Sequence, residues 1–438
     1  MLLSKTKLWI LLGLYLLFIL TAAAVTVLSS PGVLKVDALY KFGQIFGAVS
    51  LSLLVIQQVL SARIPLIEKN IGHDRLMRFH HLNANFILLF VLAHPFSIFF
   101  RFLSSGRITI FDLVKSFGLG QWLGALAVIL IVFIIITAVF SKRLGLRYDQ
   151  WRKVHLVAYV VLILGFLHSY MIGSDILTRQ YLYYWWWFLA AVAASTVFYR
   201  YIIRLHKFRN SIYEVVKVES NTHDVTNVYL KPADNNLKKL DFKPGQFAFI
   251  TIYSKAVSRE EHPFTISASP TEDHLMFSIK SSGDFTANIH ALKEGDKVKV
   301  EGPYGVFSIG EHSGPFVFIA GGIGITPFRS MLRYMADQNI KMGGAAQDIT
   351  LIYANKTQED IAFREEFAAI EKSSKWLKIV HVIGGFVTGE LILAKVPNIK
   401  ESKFFVCGPP PMMAAVVGIL HKIGVSPDQI YTEKFSLK

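Results

Sequence analysis

The chain is predicted to fold in two parts: a membrane all-α bundle of six helices, then a soluble part. The soluble part is a small antiparallel β-barrel followed by an α/β domain with a parallel sheet. Three observations lead there. Six long apolar stretches lie within the first 209 of 438 residues. After Arg209 the texture changes to short segments in which apolar and polar residues alternate, the period of half-buried strands. From Phe316 onward, apolar strands alternate with Gly-rich turns and helical patterns, as in βαβ units.

The apolar stretches fall at roughly 8–28, 42–60, 79–100, 119–140, 154–172 and 183–203, each near the ~20 residues that cross a bilayer. The first is followed by Ala22, Ala23 and Ala24, as a cleaved signal would be. Its apolar character continues to Leu28 and further spans follow, so it is read as a retained helix. Positive residues set the orientation. One set of flanks carries fifteen Lys and Arg, among them Arg63, Arg78, Arg143, Arg152 and Arg200, against six on the opposite loops. This places both termini in the cytoplasm of a multi-pass cell-membrane protein. The net charge of +15 resides entirely in residues 1–209; the remainder carries 25 basic and 25 acidic residues. The excess therefore serves topology and contact with the lipid bilayer rather than nucleic acid. A single cysteine, Cys407, excludes intrachain disulfides, a cysteine-ligated iron–sulfur cluster and two-cysteine haem attachment. No internal repeat or low-complexity tract is visible.

Two apolar segments each carry a pair of histidines, His80 with His94 and His155 with His168. Separations of fourteen and thirteen residues put the imidazoles roughly 20 Å apart along a helix axis, about two thirds of the hydrocarbon thickness. Two facing helices so equipped can hold two stacked b-type haems, His80 with His155 on the inner side and His94 with His168 on the outer. A lone intramembrane histidine is more often a hydrogen-bonded contact between helices, but matched pairs on two helices point to function. Thirteen residues leave the second pair about 140° out of phase on an ideal helix. A local overwind or bulge is therefore expected there, in a segment that contains Gly165. His81 competes with His80 as the inner ligand, at a poorer phase with His94.

In the soluble part, Ile212–Val218, Val225–Leu230, Gln246–Ile252 and Leu275–Lys280 read as barrel strands. Phe316–Ala320, Ile349–Tyr353, Leu377–Ile383 and Lys403–Cys407 read as the parallel sheet. The first of these opens through Gly321-Gly322-Ile323-Gly324-Ile325-Thr326-Pro327 into a helix, a backbone cradle suited to phosphate. The domains are expected at 1–209, 210–312 and 313–438.

The ordered segments His262-Pro263-Phe264-Thr265-Ile266-Ser267, Gly283-Asp284-Phe285-Thr286, Gly302-Pro303-Tyr304-Gly305, the Gly321 turn and Cys407-Gly408-Pro409-Pro410 resemble the FAD and NAD(P) domains of the ferredoxin–NADP reductase superfamily. Preceded by the histidine-bearing helices, the whole chain resembles the ferric reductase / NADPH oxidase family. That resemblance implies that His262–Ser267 line the isoalloxazine ring, with Thr265 at its reactive edge. Lys280 to Thr286, through Gly283 and Thr286, would hold the FAD pyrophosphate. Gly321, Gly322, Gly324, Thr326 and Pro327 would hold NADPH or NADH, with Cys407 and Gly408 at the nicotinamide end and Phe435 covering the flavin. The bland alternatives are a solvated turn for His262, a small buried side chain for Cys407 and ordinary core for Phe435. Lys356 stands where the family reads the ribose 2′-phosphate, usually with arginine, and is equally a solvated loop lysine. Asn355 suits a ribose hydroxyl instead. The aromatics Trp122, Trp151 and Tyr183–Trp187 suit interfacial belts, and Trp151-Arg152-Lys153 could meet haem propionates.

The activity implied is NAD(P)H-dependent transmembrane electron transfer through FAD and two haems to an external acceptor, ferric iron or O2, with no obligatory protein partner. Superoxide production is the main rival reading, and a non-enzymatic haem sensor or channel the second. No calcium-binding loop is recognisable before the first helix, and the short external loops leave little room for an acceptor-binding cap.

Overall fold

The structure, a computed structural model, describes residues 5–28, 38–104, 106, 109–141, 143–146, 148–173, 176, 179–234, 236–310, 312–342 and 348–433. It divides into two compact units. One comprises Lys5–Ile64 and Arg75–Arg204; the other comprises Pro65–Asp74 with the chain from Leu205 onward.

The first unit is helical: α1 Lys5–Leu28, α2 Ala38–Ser61, then α4, which starts at His73 after the short α3 (Pro65–Ile71) and runs to Leu103. There follow α5 Ile110–Lys115, α6 Leu119–Phe140, α7 Tyr148–His155, α8 Val157–Ile172 and α9 Gln180–Phe198. Five helical spans are long and apolar enough to cross a membrane: Ala38–Ser61, His73–Leu103, Leu119–Phe140, Gln150–Ile172 and Gln180–Lys207. Leu12–Leu28 in α1 is a shorter apolar helix. Many large apolar side chains on these helices are exposed, as lipid-facing surfaces require. A polar chain ties three helices together. Tyr15 donates to Asn83 (2.8 Å), whose amide donates to Leu53 O and to Gln57, and Gln57 donates to His80 O (3.1 Å). Every link ends on a partner, which apolar surroundings demand.

The expected irregularity between His155 and His168 is present, but at Leu156 rather than at Gly165. There α7 ends and α8 begins, the Leu156 N–H shared between Arg152 O and Lys153 O, both at 3.2 Å. Tyr159 N–H then donates to Leu156 O, an i→i+3 bond that overwinds the turn. The aromatic cluster is also only partly interfacial. Trp185 donates to Ser52 (3.2 Å) and Trp186 to Ser169 (2.9 Å), so these two indoles are tied within the bundle.

The second unit holds two sheets. The six-stranded antiparallel sheet runs β4-β3-β6-β1-β2-β5, and a bridge between Ile266 and Phe277 joins its two ends into a barrel. Its strands are β1 Ile212–Thr222, β2 Val225–Pro232, β3 Phe247–Tyr253, β4 Glu261–Thr265, β5 Leu275–Lys280 and β6 Lys297–Tyr304. Strand β4 was not anticipated because Pro263 lies within it. It is terminal in the ladder order, where proline is tolerated. The five-stranded parallel sheet runs β11-β10-β7-β8-β9: β7 Phe316–Gly321, β8 Ile349–Asn355, β9 Leu377–Ile383, β10 Lys403–Cys407 and β11 Ile430–Glu433. The order reverses beside β7, the switch point where open α/β sheets bind ligands.

One buried cation joins barrel to sheet. Arg329, on the helix Thr326–Met342 that follows β7, donates to both oxygens of Glu272 (2.7 and 3.0 Å), to Glu366 and to Ser267 O (2.9 Å). Burial pushes the Glu272 carboxyl up, and the Arg329 guanidinium more than offsets this, holding the group below the usual carboxylate range. Arg329→Met should therefore cost about 3–5 kcal/mol, because two carboxylates lose their buried partner. The stability that Glu272 contributes in the wild type is present above the unfolded carboxyl value of about 4.3. It is lost as pH falls through the lower folded value. Thermal melts of the full-length protein, followed at the second unit, should show this acid-side loss in the wild type and not in Arg329→Met. Equal melting of the two proteins at neutral pH would refute it.

Candidate functional site

In the helical unit, the four predicted histidines form two pairs. The rings of His80 and His155 are centred 6.1 Å apart, and those of His94 and His168 6.0 Å apart. His81 is exposed, its ring 6.1 Å from that of His80. Two imidazoles sharing one metal at about 2.0 Å from each nitrogen would have ring centres roughly 6 Å apart, so both slots fit a bis-imidazole iron.

The second pair opens into a cavity of about 690 Å³ lined by His94, His168, Gly47, Gly124 and Trp185, among others. His94 Nδ1 lies 2.7 Å from Gly43 O, and His168 Nδ1 2.8 Å from Gly120 O. A carbonyl oxygen can only accept, so Nδ1 carries the proton in both rings, leaving Nε2 as the free donor to a metal. The first pair differs. His80 Nδ1 and His155 Nδ1 have no hydrogen-bond partner among the described residues. Trp151 packs its ring 5.2 Å from that of His155. Arg152 and Lys153 are exposed. After α9 the backbone makes a π-helical turn, Tyr199–Ile203, a form that recurs at functional sites. It carries Arg200, which donates to Ser61 O and Oγ (3.3 and 3.1 Å).

In the second unit, β4 presents His262, Pro263, Phe264 and Thr265 in one run. His262 Nε2 donates to the Glu260 carboxylate at 2.9 Å, and its ring lies 4.1 Å from that of Phe285. It is a half-buried strand residue rather than a solvated turn. Thr265 is buried, and Ser267 bonds Met276 O (3.0 Å) and Ser278 (2.9 Å). Gly283 and Asp284 are exposed. The Thr286 hydroxyl accepts from Ser282 and Gly283 N–H (2.9 and 3.0 Å), so the Gly283 amide is engaged within its own turn. Lys280 pairs with Asp224 at 2.8 Å.

The Gly321 turn and Gly408 meet at the switch point. A Cβ on Gly324 would come 2.5 Å from Cys407 O, and one on Gly408 3.1 Å from Gly321 Cα. Gly322 takes φ +51°, with nothing within 4 Å of the Cβ position, so its backbone lies open to a ligand. Tyr353 donates to Gly322 O at 3.2 Å and burial keeps its phenol protonated. Thr326 and Pro327 begin the following helix, both buried. Lys356 is exposed, and Asn355 is buried. Phe435 lies outside the described residues.

Cys407 is fully buried and belongs to the apolar core cluster. Burial, then the charge of Glu433, pushes its thiol up, so it stays an uncharged thiol. Glu433 pairs in register with Cys407 and was not anticipated, because a strand-end glutamate carries no sequence signal of burial. Its carboxyl is pushed well above the usual range, by burial first and the charge of Asp74 second.

Family models match three stretches: "Ferric reductase like transmembrane component" at residues 46–166, "FAD-binding domain" at 212–308 and "Oxidoreductase NAD-binding domain" at 318–418. Sulfhydrogenase 2 subunit gamma of Pyrococcus furiosus is 30% identical over 251 residues, covering 52% of this chain and 84% of that protein. The reductase component of propane 2-monooxygenase from Mycolicibacterium goodii is 29% identical over 242 residues, covering 51% and 67%. A flavohemoprotein of Bacillus anthracis is 28% identical over 253 residues, and the chain spans 61% of its length. Among solved structures, a Malassezia yamatoensis flavohemoglobin with bound FAD and heme matches 95% of this chain and 99% of its own at 18% identity and a TM-score of 0.50, a likeness of fold alone.

Two outcomes follow from the reductase geometry. Gly324→Ala forces a Cβ into Cys407 O, so NAD(P)H-driven flavin reduction should fall at least ~10-fold, since misplacing a reacting group by an ångström costs that and more. Dithionite should still reduce the flavin normally; unchanged NAD(P)H kinetics would refute the contact. Glu433 has its folded pKa raised, so its contribution to stability is full below the unfolded value and is lost as pH rises through the folded one. Melts across pH 5–9 should show that decline in the wild type and a flatter profile in Glu433→Gln.

Proposed function

The chain belongs to the ferric reductase / NADPH oxidase-type family, a ferric reductase-like transmembrane component joined to a ferredoxin–NADP reductase-type module, and is an NAD(P)H-dependent oxidoreductase; on that premise we propose that it moves electrons outward across the cell membrane. The membrane bundle has six crossings with both termini cytoplasmic, followed by an FAD domain at 210–312 and an NAD(P) domain at 313–438. The acceptor outside is a ferric chelate or O2. The observation that carries this reading is the pair of imidazole slots, 6.1 and 6.0 Å between ring centres, on the same helical spans.

When bound, NAD(P)H, FAD and two b-type haems supply the conversion of a hydride into single electrons and their passage across the bilayer. His80 with His155, and His94 with His168, are the residues that would hold the two haems. His80 rather than His81 is the inner ligand, because it faces His155 and His81 is exposed. A haem held by two histidines would leave an acceptor to be reduced at its outer edge. His262, Pro263, Phe264, Thr265 and Ser267 line the flavin, with Thr265 at the reactive edge. Lys280, Gly283, Asp284, Phe285 and Thr286 serve its pyrophosphate. Gly321, Gly322, Gly324, Thr326 and Pro327 receive the nicotinamide nucleotide. Cys407 and Gly408 shape the nicotinamide end through their backbone and uncharged bulk, and Phe435 covers the flavin. Lys356, exposed at the end of β8, meets the 2′-phosphate as a point charge and gives a weak preference for NADPH.

The test is a haem count with a paired acceptor assay. The wild type should hold two low-spin b haems by pyridine haemochrome, and His168→Ala only one; two haems in that variant would sink the ligand assignment. Dismutase-sensitive cytochrome c reduction measured against ferric-citrate reduction separates O2 from iron as acceptor. Lys356→Ala should raise the KM for NADPH several-fold and leave that for NADH nearly unchanged, and equal effects on both would remove Lys356 from the site.

A further inference from the structure

A pair of imidazoles needs only two histidines, yet the outer pair is seated by a device used twice. On α2, Gly43 and Gly47 lie one turn apart. The Gly43 carbonyl accepts from His94 Nδ1 at 2.7 Å, and a Cβ on Gly47 would come 2.9 Å from that nitrogen and 3.0 Å from Cε1. On α6, Gly120 and Gly124 repeat the arrangement against α8. The Gly120 carbonyl accepts from His168 Nδ1 at 2.8 Å, and a Cβ on Gly124 would come 2.4 Å from Nδ1 and 2.5 Å from Cε1. The match extends one turn further. A Cβ on Gly43 would meet Ile98 at 2.7 Å, and one on Gly120 would meet Ile172 at 2.7 Å, each isoleucine four residues past its histidine. Glycines spaced by four ordinarily let two helix backbones approach each other. Here the gap they leave is filled by an imidazole.

We propose that Gly43, Gly47, Gly120 and Gly124 are positioning residues for the outer haem: the first of each pair fixes the ring's tautomer through its carbonyl, and the second leaves the room that lets the ring reach it. This rests on the two-haem reading above. A histidine that donates its second N–H to an acceptor is held in orientation and made a more basic ligand. Among the described residues His80 Nδ1 and His155 Nδ1 make no hydrogen bond of normal geometry, and the backbone beside the His80 ring is that of Gln57 rather than of a glycine. The combination of a glycine carbonyl and a glycine gap is seen at the outer pair. A methyl group at position 47 or 124 pushes the ring off its carbonyl. The ligand then donates less strongly to ferric iron, and the potential of that one haem rises or the haem is lost.

The experiment uses the purified full-length protein with its cofactors, comparing Gly47→Ala, Gly124→Ala and, as a control, Gly13→Ala in α1, whose Cβ would have nothing within 4 Å. Haem content by pyridine haemochrome and a spectroscopic redox titration are the readouts, neither of which depends on turnover. Gly47→Ala and Gly124→Ala should each lose one of two haems or shift one of two potentials upward, the other haem serving as the internal measure of folding. Gly13→Ala should titrate as the wild type. Two haems at wild-type potentials in both cavity variants would overturn the proposal. Joint loss of both haems in both variants would also overturn it, by assigning the glycines to bundle assembly at large. A wild type with no haem would overturn the parent reading, and this one with it.

Discussion

Hydrocarbon offers an imidazole no water, so each ring nitrogen of a membrane histidine has to be met by the protein or by a ligand. The helical unit is arranged around that demand. A helix carbonyl is already engaged by the N–H four residues on, but its second lone pair is free, and glycine is the residue whose carbonyl a bulky ring can approach. Gly43 and Gly120 supply that lone pair to His94 and His168. The same rule accounts for the tie between Asn83 and Gln57, and for two indoles that donate to serines rather than facing a headgroup layer.

In the reductase unit the corresponding constraint is a single buried guanidinium. Arg329 holds the carbonyl of Ser267, at the end of the β4 run, and two carboxylates, from a helix that begins at the glycine turn. The end of the β4 run and the helix after the glycine turn are thus set relative to each other by one planar, multiply bonded cation, which lysine could not replace. At the far end of the parallel sheet, burial pushes both the Cys407 thiol and the Glu433 carboxyl beside it above their usual ranges.

Much of this was legible in the sequence because it depends on periodicity and spacing. The helical spans, the barrel strands β1, β2, β3 and β5, and the parallel strands β7 to β10 follow from apolar patterns alone, and the histidine pairs from their separations. What escaped notice depends on contacts between distant segments. Strand β4 is masked by Pro263 and β11 by its shortness. Arg329 follows the glycine turn by a few residues, and nothing local says that it crosses to Glu272. The helix break fell at Leu156 because the overwind was needed beside His155, whereas glycine content pointed to Gly165. Sequence inspection also found no repeat, since the twinned device is four glycine and four helix positions scattered through dissimilar strings. Two signals were available: Gly43-x-x-x-Gly47 and Gly120-x-x-x-Gly124, each within an apolar run.

The segment Pro65–Asp74 lies between α2 and the apolar part of α4, yet it folds with the reductase unit. Glu68 and His73, 2.7 Å apart, are buried there, with the His73 ring against Phe247 and Phe249. Those phenylalanines are translated roughly 170 residues later. At about 5–20 residues per second, the loop waits on the order of ten to thirty seconds for the surface that buries it. During that interval both neighbouring helices can already be inserted. A short helical segment is thus held without its aromatic cover until the second half of the chain has begun to fold. Synthesis of this protein therefore has a closing step in which a soluble module, once formed, collects a piece of chain left behind at the membrane.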